Sequence, residues 1–190
     1  MIEVEIDDDA WTADLPDASD VVERAATAAL GAASGDVVVL LTRDAAVRDL
    51  NARFRDKDRA TNVLSFPAAE SAAPHLGDLV LAHGVCAAEA EAQGKTLADH
   101  LAHLTVHGVL HLLGRDHDDD GEAEAMEAEE RDILARIGVA DPYAGNAGGP
   151  ARYTGAVKPG NLPGTVTAAD FARKHGQPPG RGAVVLGMGS

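Results

Sequence analysis

The stretch HLTVHGVLHLLGRDH, residues 103–117, places four histidines within fifteen residues. His107 and His111 are four apart. On an α-helix that spacing is little more than one turn and a rise of roughly 6 Å, so both imidazoles leave one face and can reach one ion. Gly114 is suited to ending the helix with a positive φ. His117 follows three residues later, where a reversed chain returns a third imidazole to the same point. Three neutral imidazoles suit Zn²⁺, and three protein ligands with the fourth position open is the catalytic pattern. An HxxxH pair alone fits a packed helix as well as it fits a metal. A third histidine beyond a glycine turn, in a chain with only eight histidines, favours the metal. One zinc per chain is therefore expected on His107, His111 and His117, with its water activated toward a pKa of ~7.

The same spacing, H-x3-H-x2-G-x2-H, occurs in metzincin proteases, where a glutamate after the first histidine is the general base. Here that position is Gly108, which accepts no proton. A peptidase of that design would lack its base.

The net charge of −15 argues against broad, non-specific binding of nucleic acid, because such a surface repels a phosphate backbone. The charge is unevenly spread. Residues 1–42 hold ten acids and one base, and residues 118–141 hold ten acids and two bases. Between them, residues 43–66 hold six bases (Arg43, Arg48, Arg53, Arg55, Lys57, Arg59) against four acids. A polyanion contact would be centred there, although a solvated helix face with i,i+4 pairs explains such charges equally well. No apolar run approaches the ~20 residues of a membrane span. The acidic, alternating start MIEVEIDDD is unlike a signal or transit peptide. Cys86 is the single cysteine, which fits a reducing cytoplasm, and its apolar setting predicts a buried small residue and not a nucleophile.

The elements that must position these residues follow from periodicity. IEVEI alternates as an edge-type strand, and DVVVLLT is the β-branched run of a buried one. Helices are expected over 19–33 and over DAAVRDLNARFR, the latter with Val47, Leu50 and Phe54 on one face. TNVLSFP is short and extended, 68–76 a polar loop, and GDLVLA a further strand. Two helices, 84–93 and 96–113, flank Gly94, and an acidic third over 119–138 is amphipathic through Met126, Ile133, Leu134 and Ile137. This mixture predicts an α+β fold in which a mixed β-sheet packs against several helices, with the metal site on a histidine-bearing helix and the turn after it. The folded domain should span 1–141. Residues 142–190, rich in Gly and Pro with five bases and one acid, read as a largely disordered tail, with at most a turn or two of helix at TAADFARKHG.

Three stretches in order carry a specific resemblance: HLTVHGVLHLLGRDH, LNARFRDKDRATNVLSFP (50–67) and LGDLVLA (76–82). Together they resemble the YbeY family of bacterial rRNA maturation factors, metal-dependent, single-strand-specific endoribonucleases, over most of residues 1–140. Arg115 departs from the tyrosine often found there. The resemblance implies His107, His111 and His117 as zinc ligands and carries the family's functional arginine onto Arg55. Arg55, with His107, is thus the expected catalytic residue. Its planar fork suits a phosphate, while its structural alternative is a surface salt bridge to Asp56 or Asp58. Arg59, Asn62 and Ser65 complete the expected substrate-binding set, the last two bonding either substrate or the protein's own backbone. Asp116 is expected to cap the acidic helix or orient an imidazole. His100 and His103, on the face of His107, suit hydrogen-bonding roles near the site, and Asp78 either orients a site group or serves a β-turn.

The resemblance implies an endoribonuclease acting on single-stranded RNA in maturation of the small-subunit rRNA 3′ end, and in ribosome quality control. Its implied partners are rRNA, the ribosome or a ribosomal protein, and a ribosome-associated GTPase. Metal-delivered hydroxide is the simplest nucleophile, with the RNA 2′-OH as the alternative. Two rival readings compete: a non-catalytic, zinc-stabilised assembly factor, favoured by an acidic surface suited to basic ribosomal proteins, and a zinc-dependent hydrolase of small molecules.

Overall fold

The computed structural model describes residues 1–115 and 119–143 and, beyond them, the backbone of 165–167 and 184–186. Strands β1 (Ile2–Ile6), β2 (Asp36–Thr42), β3 (Val63–Pro67) and β4 (His75–Ala82) form one sheet in the order β1-β2-β4-β3. The β1–β2 and β2–β4 pairs are parallel and β3–β4 is antiparallel, so the sheet is mixed and the expected α+β class is found. The alternating strand β1 lies at an edge, and the continuous apolar run of β2 lies inside, as their patterns require. Helices α1 (Asp9–Asp14), α2 (Ala18–Leu30), α3 (Asp44–Arg55), α4 (His83–Ala92), α5 (Leu97–Leu112) and α6 (Asp120–Arg136) complete the domain. Among these helices, only α1 had no expectation from the sequence. It is a six-residue helix whose Trp11 is fully buried and donates its indole N–H to the Thr42 carbonyl at 2.9 Å.

Alternation along the strands divides the interior in two. On one face, Val37, Val39, Leu41, Val63, Leu79 and Leu81 pack with α2 and α5. On the other, Leu64, Phe66, Val80 and Ala82 pack against Ala46, Val47, Leu50 and Phe54 of α3. The helical face expected of α3 is the face it buries. Cys86 is fully buried, and burial pushes its thiol well above its ordinary range, which removes it as a nucleophile.

The central element is α5. Every residue from His100 to Leu112 is buried, and a helix enclosed all round must be apolar except where polar groups find partners. Thr96 caps its start by accepting from the Asp99 N–H at 3.1 Å. Gly108 lets it lie close on the sheet. A Cβ at this position would stand 2.7 Å from Leu79 Cδ2 and 3.0 Å from Cδ1. The position that carries the base in a metzincin is here the contact between helix and sheet, so no carboxylate could project from it into a site.

In the tail, Thr165–Thr167 and Val184–Leu186 pair as antiparallel strands β5 and β6, which periodicity had not indicated. The helical turn considered at TAADFARKHG lies outside the described residues apart from Thr167. No helix among the described residues is long and apolar enough to cross a membrane.

Candidate active site

The helical spacing of His107 and His111 brings their Nε2 atoms to 3.0 Å, with ring centroids 4.6 Å apart and planes at 81°. Both rings are 5 % exposed or less. Each Nδ1 is engaged elsewhere. His107 Nδ1 lies 2.5 Å from Glu130 Oε1, and His111 Nδ1 lies 3.0 Å from the Arg115 carbonyl oxygen. An ionised carboxylate and a carbonyl only accept, so each Nδ1 carries the hydrogen and donates it. In the neutral rings, both Nε2 lone pairs then face one point. The two Nε2 atoms stand 3.0 Å apart, where a shared proton or a bound ion can take both lone pairs, so the donor set fits a metal such as zinc.

The turn after α5 creates the second of these bonds. Gly114 has φ +91°, the Gly114 N–H bonds the His111 carbonyl and the Arg115 N–H returns to Leu110, closing the helix as its glycine indicated. That reversal points the Arg115 carbonyl back at His111. The Arg115 side chain is turned away in a two-pronged pair with Glu129 at 3.1 and 3.2 Å, so its charge is largely matched.

His117 and Asp116 lie outside the described residues. Among the described residues no three side chains of metal-binding type converge on one point. The cap expected of Asp116 is instead supplied by Asp119, whose side chain accepts from the Glu122 N–H at 2.7 Å.

Glu130 had no place in the sequence reading. It is fully buried on α6, bonded to His107 through Oε1 and to the Tyr143 hydroxyl through Oε2 at 2.5 Å. His103 Nε2 stands 3.3 Å from that hydroxyl and 3.7 Å from Oε2. Burial by itself would raise the Glu130 carboxyl, but hydrogen bonds from His103 and His107 outweigh it and hold the group well below the usual carboxylate range. Burial lowers the His103 imidazole from its ordinary value. The signal for Glu130 was present. It falls on the stripe of Met126, Ile133 and Leu134, and a carboxylate on an apolar helix face needs a buried partner. Tyr143 is partly buried and packs on the main core.

The basic window closes α3 and the loop beyond it. Arg55 is the last residue of α3, half-buried, and burial followed by the nearby Arg59 charge lowers its guanidinium without discharging it. Asp56 then takes a left-handed conformation (φ 56°), turning the chain outward. Buried Asn51 holds this loop, its amide donating to the Arg59 carbonyl at 2.8 Å while its own carbonyl accepts from Lys57 N–H at 3.2 Å. Asp58, one of the carboxylates a purely structural Arg55 would use, is taken by Arg48 at 2.8 and 3.1 Å.

The remaining expected residues divide. Asn62 is 4 % exposed, and its amide donates to Glu89 Oε1 at 3.0 Å while its side-chain oxygen accepts from the Val63 N–H, so of its two expected roles the structure fills the internal one. Ser65 is fully buried opposite Leu79 on the β3–β4 pair, on the sheet face that meets α5. His100 bonds Glu89 at 3.0 Å. Asp78 lies inside β4 and next to Leu79 in sequence, so it projects to the face opposite α5, 3.5 Å from His75. It belongs neither to a β-turn nor to the histidine cluster.

With this geometry stand the relatives. A family model described as Endoribonuclease YbeY matches residues 3–138. Endoribonuclease YbeY of Azorhizobium caulinodans is 54% identical over 154 residues, covering 75% of this chain and 96% of the relative. That of Maricaulis maris is 50% identical over 157 residues, covering 80% and 98%. The solution structure of TM1509 from Thermotoga maritima is similar at TM-score 0.48 and 22% identity, over 79% of this chain and 100% of that one.

Proposed function

The chain belongs to the YbeY endoribonuclease family, and on that premise we propose that it cuts single-stranded RNA in ribosomal RNA maturation, at the small-subunit rRNA 3′ end. His107, His111 and His117 hold one zinc ion, and Arg55 holds the phosphate under attack. The observation that carries this reading is the pair of Nε2 atoms 3.0 Å apart with both Nδ1 atoms committed to acceptors. When bound, zinc supplies Lewis acidity toward a phosphate oxygen or a water molecule.

The protein's own part is to fix and to charge. Glu130 and the Arg115 carbonyl set the histidine tautomers. Arg55 pairs two phosphate oxygens and opposes the charge that develops on them. Arg59 adds a second cation on the loop that Asn51 pins. In a protein of net charge −15, this window is where a polyanion meets cations, and the acidic remainder of the surface suits contact with basic ribosomal proteins. The ribosome and a ribosome-associated GTPase in the cytoplasm are the partners this reading supplies.

Purified protein incubated with single-stranded RNA, with and without chelator, tests it. Cleavage that chelation abolishes, that zinc restores and that His107→Ala lacks is the expected result. RNA left intact by zinc-loaded protein would return the chain to the reading of a non-catalytic assembly factor. The ends of the products, 5′-phosphate or 2′,3′-cyclic phosphate, separate attack by water from attack by the RNA 2′-OH.

A further inference from the structure

Glu130 is the buried carboxylate bonded to His107, with His103 3.7 Å away, and its surroundings bear on what it does. A general base must reach a water or a substrate hydroxyl, directly or through one water. Glu130 cannot, since it is fully buried with one oxygen on His107 Nδ1 and the other on the Tyr143 hydroxyl. His103, 1 % exposed, closes the far side, its Nε2 3.3 Å from the same hydroxyl and its ring edge-on to Tyr143 at 5.4 Å. Tyr143 is further steadied by Arg131, whose guanidinium lies 5.4 Å from the ring centroid. Each member is fixed by the next, and the chain ends on an imidazole whose Nε2 faces His111.

We propose that Glu130 and Tyr143 are positioning residues for the metal centre. Glu130 locks His107 as the Nδ1–H tautomer with its ring aimed at the ion, and Tyr143 holds Glu130 in the rotamer that does so. A carboxylate behind a ligating imidazole also makes the ring a better donor. The arrangement gives the site a dependence on a residue outside the span matched by the family model, which ends at 138, because Tyr143 lies beyond it. The inference rests on the reading of His107 as a metal ligand.

Zinc affinity of the full chain, measured by competition with a chromophoric chelator, tests it alongside a histidine ¹⁵N–¹H spectrum of metal-free protein. Glu130→Gln is expected to weaken zinc binding roughly 10- to 100-fold while one zinc still binds at saturation. In the spectrum, the His107 proton should leave Nδ1 for a mixture of the two nitrogens. Tyr143→Phe, which keeps the carboxylate, is expected to weaken zinc a few-fold in the same direction and with the same fold. A folded Glu130→Gln protein with wild-type zinc affinity and the His107 proton still on Nδ1 would overturn the inference and leave the metal reading intact. Wild-type protein that takes up no zinc would overturn both. If Glu130→Gln does not fold, Tyr143→Phe decides, and unchanged affinity there counts against the proposal.

Discussion

His107 and His111 sit on a helix buried from His100 to Leu112, whereas Arg55 and Arg59 sit where α3 gives way to a largely exposed loop. On the helix, each imidazole has its Nδ1 bonded and its ring held by packing. On the loop, the order comes from the backbone, through Asn51, and the Arg59 charge lies close enough to be felt at Arg55. Under the proposed function, the contrast follows from what each half would hold. A small ion tolerates little error in donor position, so its ligands belong on rigid, enclosed elements. An RNA backbone brings its own flexibility and charge, so cations on a loop can adapt to it and lose less on desolvation. If this division is right, damage to the two halves should look different.

The largest effect is expected from the rigid half. His111→Ala removes a proposed ligand, and zinc stoichiometry should fall from one toward zero, with RNA cleavage down by at least about a thousandfold, the equivalent of several kcal/mol. Retention of a full equivalent of zinc by this variant, read by elemental analysis, would break the comparison. Next, Arg55→Ala should lower cleavage by roughly 10²- to 10³-fold, as for a transition-state donor, while zinc content stays at one. Its stability should change by no more than about 1 kcal/mol, since the side chain is only half-buried. Arg55→Lys should recover part of the activity, because an ammonium keeps the charge without the fork. An Arg55→Ala protein that unfolds early but cleaves normally per folded molecule would make this arginine structural.

A third variant probes why the helix can lie where it does. Gly108→Ala gains about 1 kcal/mol of helix propensity but drives a Cβ to within 2.7 Å of the fully buried Leu79 side chain, so overpacking of ~1–3 kcal/mol should leave a net loss in chemical denaturation. Gly108→Glu would restore the metzincin pattern in sequence yet should fail to fold and gain no peptidase activity. A stable Gly108→Glu protein would mean that α5 does not press on the sheet here.

The smallest effect concerns the opposite sheet face and serves as a control. The Asp78 carboxylate beside His75 raises the imidazole above its ordinary pKa of 6.5, and burial raises Asp78 above 3.8. Both shifts mean that the folded state holds protons more tightly than the unfolded chain. Stability from this pair is therefore full at low pH. It declines as pH rises, from above 3.8 for Asp78 and through the raised folded value, above 6.5, for His75. Asp78→Asn should flatten that part of the stability–pH curve while leaving zinc affinity unchanged. A fall in zinc affinity would tie this face to the metal centre.

Much of this was legible in one dimension because it depends on spacing. The period of α5 puts His107 and His111 on one face, and Gly114 permits the turn, whatever the helix packs against. The alternation of β1, the apolar run of β2 and the amphipathic faces of α3 and α6 likewise follow from periods of 2 and 3.6 residues. Short α1 was missed because six residues carry too little periodicity to separate a helix from a turn. Asp78 was given a turn or site role because it follows Gly77 at the start of the expected GDLVLA strand, whereas in the sheet β4 begins at His75 and places Asp78 inside it. The partners of the site were decided in three dimensions. Glu130 is 23 residues from His107 and stands among nine other acids in 118–141, and the docking of α6 on α5 determines which carboxylate loses water and bonds the ring. Asn62 turned inward for the same reason, since Glu89 of α4 arrives beside it only when the sheet and helices assemble. Spacing along a chain fixes which side chains share a face. Which buried polar group answers which is fixed by burial itself, because the cost of an unpaired group is incurred only when water has been excluded.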